Sequence, residues 1–187
     1  MEAEEALDAS WQTTLGEVDE QELDSRIQKA INGNAKWILI GGPPCQAYSV
    51  VGRARDPQNM VDDPRNYLYK LYIKFLEEYR PKMFVFENVP GILSAKNGEY
   101  FTKIKKAIEA AGYNFSYNTL NAKHFNVLQD RKRVIIIGYR SDLDYSYPKF
   151  SEIESDFTIK KDLFSDLRSI QHGTGNDCEE YSKPATE

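Results

Sequence analysis

The sequence predicts an α/β fold built on a mostly parallel sheet. Short, continuous apolar runs at 37–40, 83–86 and 134–137 have the length and composition of buried strands. The first two runs are each followed by a segment with apolar residues at helical spacing, so strands and helices alternate along the chain. This order favours parallel strands, and we expect helices to cover both faces of the sheet.

The predicted helices cover 20–31, 66–79 and 101–111. Each has apolar residues three and four positions apart, as expected for a helix with one buried face. Each is also closely followed by residues that stop helices, namely Asn32-Gly33, Pro81 and Gly112.

The remaining segments are a strand, a long loop and a weakly patterned tail. Residues 113–120 alternate aromatic and polar side chains, which predicts a strand exposed on one face. No helix separates this strand from the run at 134–137, so these two need not be parallel. Residues 49–64 are rich in Gly, Pro, Asp and Arg and predict a loop, and a short helix is expected at 162–170.

Charge is distributed unevenly along the 187-residue chain, whose formal net charge is −5. Residues 1–24 hold nine acids and no Lys or Arg, residues 25–150 hold 20 bases and 11 acids, and residues 151–187 hold four bases and nine acids. A basic middle between acidic ends is compatible with a nucleic-acid partner. No apolar run reaches the ~20 residues that span a bilayer, and the N-terminus is acidic, so we expect a cytoplasmic protein without a membrane partner.

Three clusters of unusual residues lie near the ends of predicted strands, where open parallel sheets bind their ligands. Gly-Gly-Pro-Pro-Cys-Gln at 41–46 leaves the first strand, and Glu-Asn-Val-Pro-Gly at 87–91 leaves the second. Gln-Asp-Arg-Lys-Arg at 129–133 enters the last strand. We therefore expect a thiol, a carboxylate and two arginines to converge on one rim of the sheet.

Cys45 is the candidate nucleophile. Most lone cysteines are small buried hydrophobic residues, but this one follows two prolines that make the turn rigid and direct it away from the sheet. A nearby arginine would favour the thiolate form and so activate it. Cys178 has no such setting, and two cysteines do not make a disulfide framework or a four-cysteine zinc site, so no metal is predicted.

Glu87 ends an otherwise apolar strand. A carboxylate at such a position is paired, solvated, or held partly protonated by desolvation. It is either a strand-end glutamate that meets a lysine or, if protonated, a proton donor suited to a ring nitrogen. Asn88 next to it either caps the turn or contacts a ligand.

Arg131 and Arg133 are two positions apart, so at strand spacing their side chains point to the same face. Arginines in such a cluster are most often solvent-exposed, here beside Lys132. The alternative is a pair of planar donors directed at a carbonyl or phosphate oxygen.

The order and spacing of these clusters resemble the motifs of the DNA (cytosine-5-)-methyltransferases. The matching runs are Gly-Pro-Pro-Cys-Gln-Ala-Tyr-Ser at 42–49, Glu-Asn-Val at 87–89 and Gln-x-Arg-x-Arg at 129–133, with a weaker Asp-x-Arg-x-x-Leu at 63–68. The resemblance implies a Rossmann-like, S-adenosylmethionine-dependent methyltransferase fold. It also implies that the fold is incomplete, with the second half of the mostly parallel sheet and an antiparallel strand near its C-terminal edge.

The resemblance further implies a role for each residue. Cys45 would add to carbon 6 of a cytosine that is flipped out of the DNA duplex. Glu87 would contact and protonate N3, and Arg133, with Arg131, would hold O2. Substrate or DNA contacts would come from the other matching positions, which are Gln46, Ser49, Arg53, Arg55, Asn88 and Gln129.

The resemblance implies the cofactor S-adenosylmethionine, but its site is incomplete. Pro44 and Leu68 match family positions that touch it, whereas the Phe-x-Gly-x-Gly turn for its methionine part and the acidic residue for its ribose have no counterpart. We therefore expect a partial catalytic domain at 20–150 with little activity alone. An acidic segment at 1–19 precedes it, and an extension at 151–187 leads toward the absent target-recognition region.

An incomplete sheet would leave the strand at 37–40 as an unpaired apolar edge. Such an edge predicts self-association, pairing with a complementing chain, or cover by the acidic N-terminal segment.

Three other functions stay open on the sequence alone. The first is C5 methylation of tRNA cytosine, although Ala47-Tyr48-Ser49 favours the DNA branch. The second is a non-catalytic DNA-binding module or one half of a split enzyme. The third is a thiol hydrolase with His124 or His172 as base, although neither lies in a recognisable nucleophile–base pattern.

Overall fold

The computed structural model describes residues 10–44 and 68–153 and the single positions 6, 164 and 167. This part of the chain contains four α-helices, two short 3₁₀ segments and one sheet of four strands. No described helix is long and apolar enough to cross a membrane. The elements are α1 Glu20–Ile31, β1 Ile38–Gly41, α2 Leu68–Tyr79, β2 Met83–Asn88, α3 Gly91–Ser94, a 3₁₀ segment Ala95–Gly98, α4 Glu99–Ala110, β3 Tyr113–Asn121, a 3₁₀ segment Ala122–His124 and β4 Lys132–Arg140.

Local hydrogen bonds explain where α1 begins and ends. The carboxylate of Asp19 accepts hydrogen bonds from the backbone N–H groups of Gln21 and Glu22, each at 3.0 Å, which satisfies two donors of the first turn. Asn32 adopts the left-handed conformation (φ 47°), and its N–H donates to the carbonyl of Gln28 at 2.9 Å. The bounds predicted for this helix are therefore confirmed.

The sheet has the strand order β1-β2-β4-β3. β1 and β2 are parallel, with Leu39 opposite Phe84, whereas β2 and β4 are antiparallel, with Phe86 opposite Ile136. The predicted antiparallel strand is thus confirmed, whereas the described part of the sheet is mixed rather than mostly parallel. The predicted loop at 49–64 lies outside the described residues, as does the predicted helix at 162–170 apart from two positions.

The hydrophobic core lies on the sheet face that carries Phe84 and Phe86. Both rings contact the ring of Tyr72 in α2, with centroids 6.0 and 5.1 Å apart, and Phe84 also contacts Tyr113 of β3 at 5.5 Å. Further buried residues come from α2, α3, α4 and β4, namely Leu76, Ile92, Phe101, Ile104, Ile108, Val134 and Ile136. This layer of helices holds the two central strands in place beneath the candidate site.

The opposite sheet face is more open. Ile38 and Ile40 of β1 point to this face and are 51% and 74% exposed. The second layer of helices that the sequence predicts is not found among the described residues. Instead, a non-helical segment after β4 covers part of the face, where the ring of Tyr145 lies 6.2 Å from that of Tyr139. The continuous apolar run at 37–40 predicted a strand buried on both faces, whereas one face of β1 is exposed.

The described contacts divide the chain into two compact units. The first comprises Met1–Thr119 and Arg133–Pro148, and the second comprises Leu120–Lys132 and Lys149–Glu187. Within the second unit, Phe125 pairs with Ile153 in an isolated β-bridge. The N–H of Ile153 also donates to the carbonyl of His124 at 2.7 Å, which links the two stretches of this unit.

Tyr113 makes the fold sensitive to alkaline pH. It is 1% exposed, its hydroxyl donates to the carbonyl of Pro81 at 2.8 Å, and burial raises its pKa to about 12 although Arg80 opposes this. Between the unfolded-state value of 10.0 and about 12, only the native state keeps the proton, so the free energy of unfolding falls as pH rises. This tyrosine contributes up to about 1.4 kcal/mol of that loss per pH unit.

We expect Tyr113→Phe to lower the free energy of unfolding at pH 7 by about 1 kcal/mol, because the Pro81 carbonyl loses its donor. The same variant should weaken the alkaline loss of stability. Urea denaturation at pH 7, 10 and 11 measures both effects, with Tyr117→Phe, a 42% exposed tyrosine on the same strand, as the control. Equal pH dependence of wild type and Tyr113→Phe would contradict the assignment.

Candidate active site

Glu87 and Arg133 meet at the end of β2. The register places Glu87 opposite Ile135 of β4, so Arg133 lies two residues away on the same sheet face. The Nε of Arg133 is 2.5 Å from Oε1 of Glu87, and their side chains are 24% and 40% exposed. Two residues that the sequence predicted as catalytic therefore form an ion pair at the rim, and the partner of Glu87 is this arginine rather than a lysine.

The turn after β1 runs directly against this carboxylate. A Cβ atom at Gly42 would lie 2.8 Å from Oε2 of Glu87 and 3.5 Å from its carbonyl oxygen. Only glycine leaves this space free, since any side chain at position 42 would displace the carboxylate. One oxygen of Glu87 thus lies against Arg133 and the other against the turn that leads to Cys45.

Asn88 ties the same turn to β2. Its side chain is 4% exposed, its Nδ2 donates to the carbonyl of Pro43 at 3.2 Å, and its Oδ1 accepts from the N–H of Val89 at 2.8 Å. Because both ends of the amide are used within the protein, Asn88 anchors the turn. The predicted contact of Asn88 with substrate or DNA stays a prediction.

Tyr72 of α2 connects β1 and β2 through hydrogen bonds on the core side of the sheet. Its hydroxyl lies 3.2 Å from the carbonyl oxygen of Leu39 and 3.0 Å from that of Val85, and burial raises its pKa. A Cβ atom at Gly41 would lie 2.8 Å from the Tyr72 ring, so glycine also allows α2 to approach β1 closely. Tyr72 and Gly41 therefore hold β1, β2 and α2 together next to the turn that leads to Cys45.

Arg131 and Gln129 belong to the second unit and are exposed. Arg131 lies one residue before β4, and its backbone N–H donates to Oδ1 of Asn121 at 3.2 Å. The N–H of Gln129 donates to the carbonyl of Val127 at 2.7 Å. The sequence-based reasoning missed Asn121, whose only signal was a polar residue at the end of a strand.

The two predicted cofactor positions lie on separate segments of the chain. Pro44 is exposed and follows the turn that Asn88 anchors, and Leu68 is half-buried in α2. Among the described residues, no group of three or more His, Cys, Asp or Glu side chains is arranged to hold a metal ion. Five predicted site residues lie outside the described residues, namely Cys45, Gln46, Ser49, Arg53 and Arg55.

His124 pairs with a carboxylate in the second unit. Its Nδ1 is 3.1 Å from Oε1 of Glu152, and its side chain is 41% exposed. A hydrolase built on His124 would need Cys45 beside it, and Cys45 lies outside the described residues. His172, the other histidine considered, lies outside them as well.

Known proteins resemble this chain in sequence and in fold. Type II methyltransferase M.Bpa9945I of Bacillus paralicheniformis is 38% identical over 161 residues, which is 80% of this chain and 36% of that protein. M.FnuDI of Fusobacterium nucleatum is 45% identical over 112 residues, or 60% of this chain and 31% of that protein. The chain thus spans about a third of the length of these curated relatives.

Solved structures of methyltransferases share the fold. A putative DNA modification methyltransferase encoded within an E. coli prophage superposes with a TM-score of 0.61 at 26% identity, covering 85% of this chain and 42% of that one. The Entamoeba histolytica methyltransferase EhMeth superposes with a TM-score of 0.54 at 16% identity, covering 78% and 42%. These neighbours confirm the predicted Rossmann-like methyltransferase fold, of which the four-stranded sheet is a part.

A family model described as C-5 cytosine-specific DNA methylase matches residues 2–185. The match includes all three clusters that the sequence singled out, and the structure brings Glu87 of one and Arg133 of another into contact. The chain belongs to the C-5 cytosine-specific DNA methylase family.

Proposed function

We propose that this chain carries the residues that methylate carbon 5 of cytosine in DNA. The contact between Glu87 and Arg133, beside the turn that leads to Cys45, is the observation that supports this most directly. An acid and a guanidinium at one rim match the N3 and O2 positions along one edge of a cytosine ring. The names of the relatives, which are Type II methyltransferases, agree with a role in restriction–modification.

In the proposed reaction the sulfur of Cys45 donates an electron pair to carbon 6 of the base. The electrons of the 5,6 double bond move toward N3, and N3 takes a proton from Glu87, which must hold that proton as a carboxylic acid once the base replaces Arg133 as its contact. The resulting enamine makes carbon 5 nucleophilic. Arg133, with Arg131, stabilises the charge that develops at O2. After methyl transfer a water molecule takes the carbon 5 proton, the electrons of that C–H bond re-form the 5,6 double bond as sulfur leaves carbon 6 as the thiolate, and N3 returns its proton to Glu87.

S-adenosylmethionine supplies the methyl group when it is bound. Pro44 and Leu68 offer an exposed and a half-buried apolar side chain, which suit contact with an adenine ring. The sequence contains no Phe-x-Gly-x-Gly turn for the methionine part, so these residues fit only the border of a cofactor site. The other contacts would come from polypeptide outside these 187 residues, and we expect these residues alone to be inactive or nearly so.

DNA is the proposed substrate, and the cytoplasm is the proposed location. Residues 25–150, which contain the site, carry nearly twice as many bases as acids, so the phosphate backbone would be attracted to them. The predicted DNA contacts of Gln46, Ser49, Arg53, Arg55 and Gln129 belong to this proposal. The target base must leave the duplex to reach Glu87 and Arg133 at the rim.

The test is transfer of a labelled methyl group to unmethylated DNA. The chain would be assayed alone and together with a polypeptide carrying the part of M.Bpa9945I that this chain does not cover. We expect labelled 5-methylcytosine in DNA, and none in tRNA, when both polypeptides are present. Robust turnover by the chain alone would contradict the expected incompleteness, and label in tRNA would favour the alternative substrate.

We further propose that β1 pairs with another polypeptide, either a complementing chain or a second copy. Within the described residues β1 has β2 as its one strand neighbour, and Ile40 is 74% exposed. Exposed apolar strands at sheet edges promote association between chains. Ile40→Lys should therefore lower the apparent mass in light scattering at high protein concentration.

The control for this effect is Val127→Lys, which adds the same charge at another exposed apolar residue, 48% exposed and outside the sheet. We expect this variant to associate as the wild type does. A wild-type chain that stays monomeric at every concentration and binds no complementing polypeptide would contradict the pairing of β1.

A further inference from the structure

Asn121 is the last residue of β3 and is 7% exposed, one of only two buried polar side chains in the described part of the chain. Its Oδ1 accepts hydrogen bonds from the backbone N–H groups of Arg131 at 3.2 Å and Lys123 at 3.3 Å. Its Nδ2 donates to Oδ1 of Asp130 at 2.8 Å. One amide therefore contacts both ends of the loop at 122–131.

The backbone closes the same loop at its base. The N–H of Ala122 donates to the carbonyl of Arg131 at 2.9 Å. Together with the bond from Asn121, this occupies both backbone polar groups of Arg131, the N–H through a side chain and the carbonyl through the first residue of the 3₁₀ segment. The backbone of Arg131 is thus held on both sides, while its side chain stays exposed.

The chemistry of the three contacts selects asparagine at position 121. Two backbone donors require an acceptor, and the carboxylate of Asp130, which accepts only, requires a donor. Oδ2 of Asp130 also lies 3.8 Å from Nζ of Lys123. An aspartate at 121 would place two carboxylates together, and an apolar residue would leave buried polar groups without partners.

We propose that Asn121 is a positioning residue for Arg131. By holding the Arg131 backbone, it makes the guanidinium extend from a fixed point, so that less backbone freedom is lost when a base is bound. The same bonds hold the loop that carries Gln129. This inference rests on the proposed function, in which Arg131 acts on the cytosine, but the hydrogen bonds that it uses are independent of that function.

The test exchanges the amide of Asn121 and the carboxylate of Asp130 and measures backbone hydrogen exchange in the loop. Asn121→Asp keeps the acceptor for Arg131 and Lys123 but repels Asp130, and we expect hydrogen exchange at the amides of Lys123 and Arg131 to accelerate about tenfold. The double variant Asn121→Asp/Asp130→Asn restores an amide–carboxylate bond in the reverse direction. It should exchange within about threefold of wild type. Asn114→Asp, the same change at an exposed position of β3, is the control.

The second readout is the rate at which the chain with its complementing polypeptide forms a covalent adduct on 5-fluorocytosine DNA. Asn121→Asp should slow adduct formation about tenfold with DNA affinity changed less than about threefold, and the double variant should recover most of the rate. Unchanged exchange in Asn121→Asp, or no recovery in a folded double variant, would overturn the proposal. If wild type forms no adduct, the proposed function fails, and the exchange comparison alone then decides whether Asn121 holds the loop.

Discussion

Cys45→Ala is expected to abolish methyl transfer by the chain in the presence of its complementing polypeptide. Without the thiol no group can add to carbon 6, so carbon 5 stays a poor nucleophile however well the base is held. We expect a fall of about 10⁴-fold or more, since nucleophiles that act as part of a unit have effects of this size. Labelled methyl incorporation into DNA under single-turnover conditions measures the effect.

Cys178→Ala is the matched control for this variant. It removes the only other cysteine, which lies outside the three sequence clusters, and should leave the methyl-transfer rate within about twofold of wild type. DNA affinity should change little in either variant, because neither change removes a positive charge. Retained turnover in Cys45→Ala, or its loss in Cys178→Ala, would show that the nucleophile has been misassigned.

Glu87→Gln is expected to lower the methyl-transfer rate by about 10²- to 10³-fold while the chain stays folded. Glutamine keeps the size of the side chain but cannot transfer a proton to N3 as an acid, and it removes the carboxylate that contacts Arg133. The ion pair is partly exposed, so its loss should change the free energy of unfolding by no more than about 1 kcal/mol. Single-turnover rates and urea denaturation separate the two effects.

Glu109→Gln, which neutralises an exposed glutamate on α4, is the control for the loss of one negative charge. It should leave the methyl-transfer rate unchanged within about twofold. A Glu87→Gln variant that transfers methyl groups as fast as wild type would exclude proton donation by this residue. If Glu87→Gln instead unfolded the chain, DNA affinity and thermal stability would be lost together with the methyl-transfer rate.

Much of the fold follows from sequence periodicity. The apolar spacing of 20–31 and the residues after it predicted α1 correctly, because Asp19 and Asn32 cap it locally. The four strands were also found where apolar runs or alternation predicted them. The expected helices on both faces were wrong for the described residues, because the composition of Ile38 and Ile40 does not reveal whether anything covers them.

The candidate site could be predicted only as a set of residue types. Strand order decides that Glu87 and Arg133 meet. That order requires β4, and not β3, to be the second neighbour of β2, which no local pattern encodes. The close approach of Gly42 and the bonds of Asn121 depend on distances of a few ångströms between residues far apart in sequence. Such contacts become visible only in three dimensions.

Covalent trapping on DNA that contains 5-fluorocytosine tests the central claim most directly. Fluorine at carbon 5 blocks the final elimination, so the chain, its complementing polypeptide and S-adenosylmethionine should form a complex that survives denaturation. Peptide mapping should then find the modified nucleotide on Cys45, and the Glu87→Gln and Arg133→Ala variants should trap far more slowly. An adduct on Cys178, or salt-sensitive binding with no adduct in a complemented and folded protein, would contradict the assignment of Cys45, Glu87 and Arg133 to one cytosine.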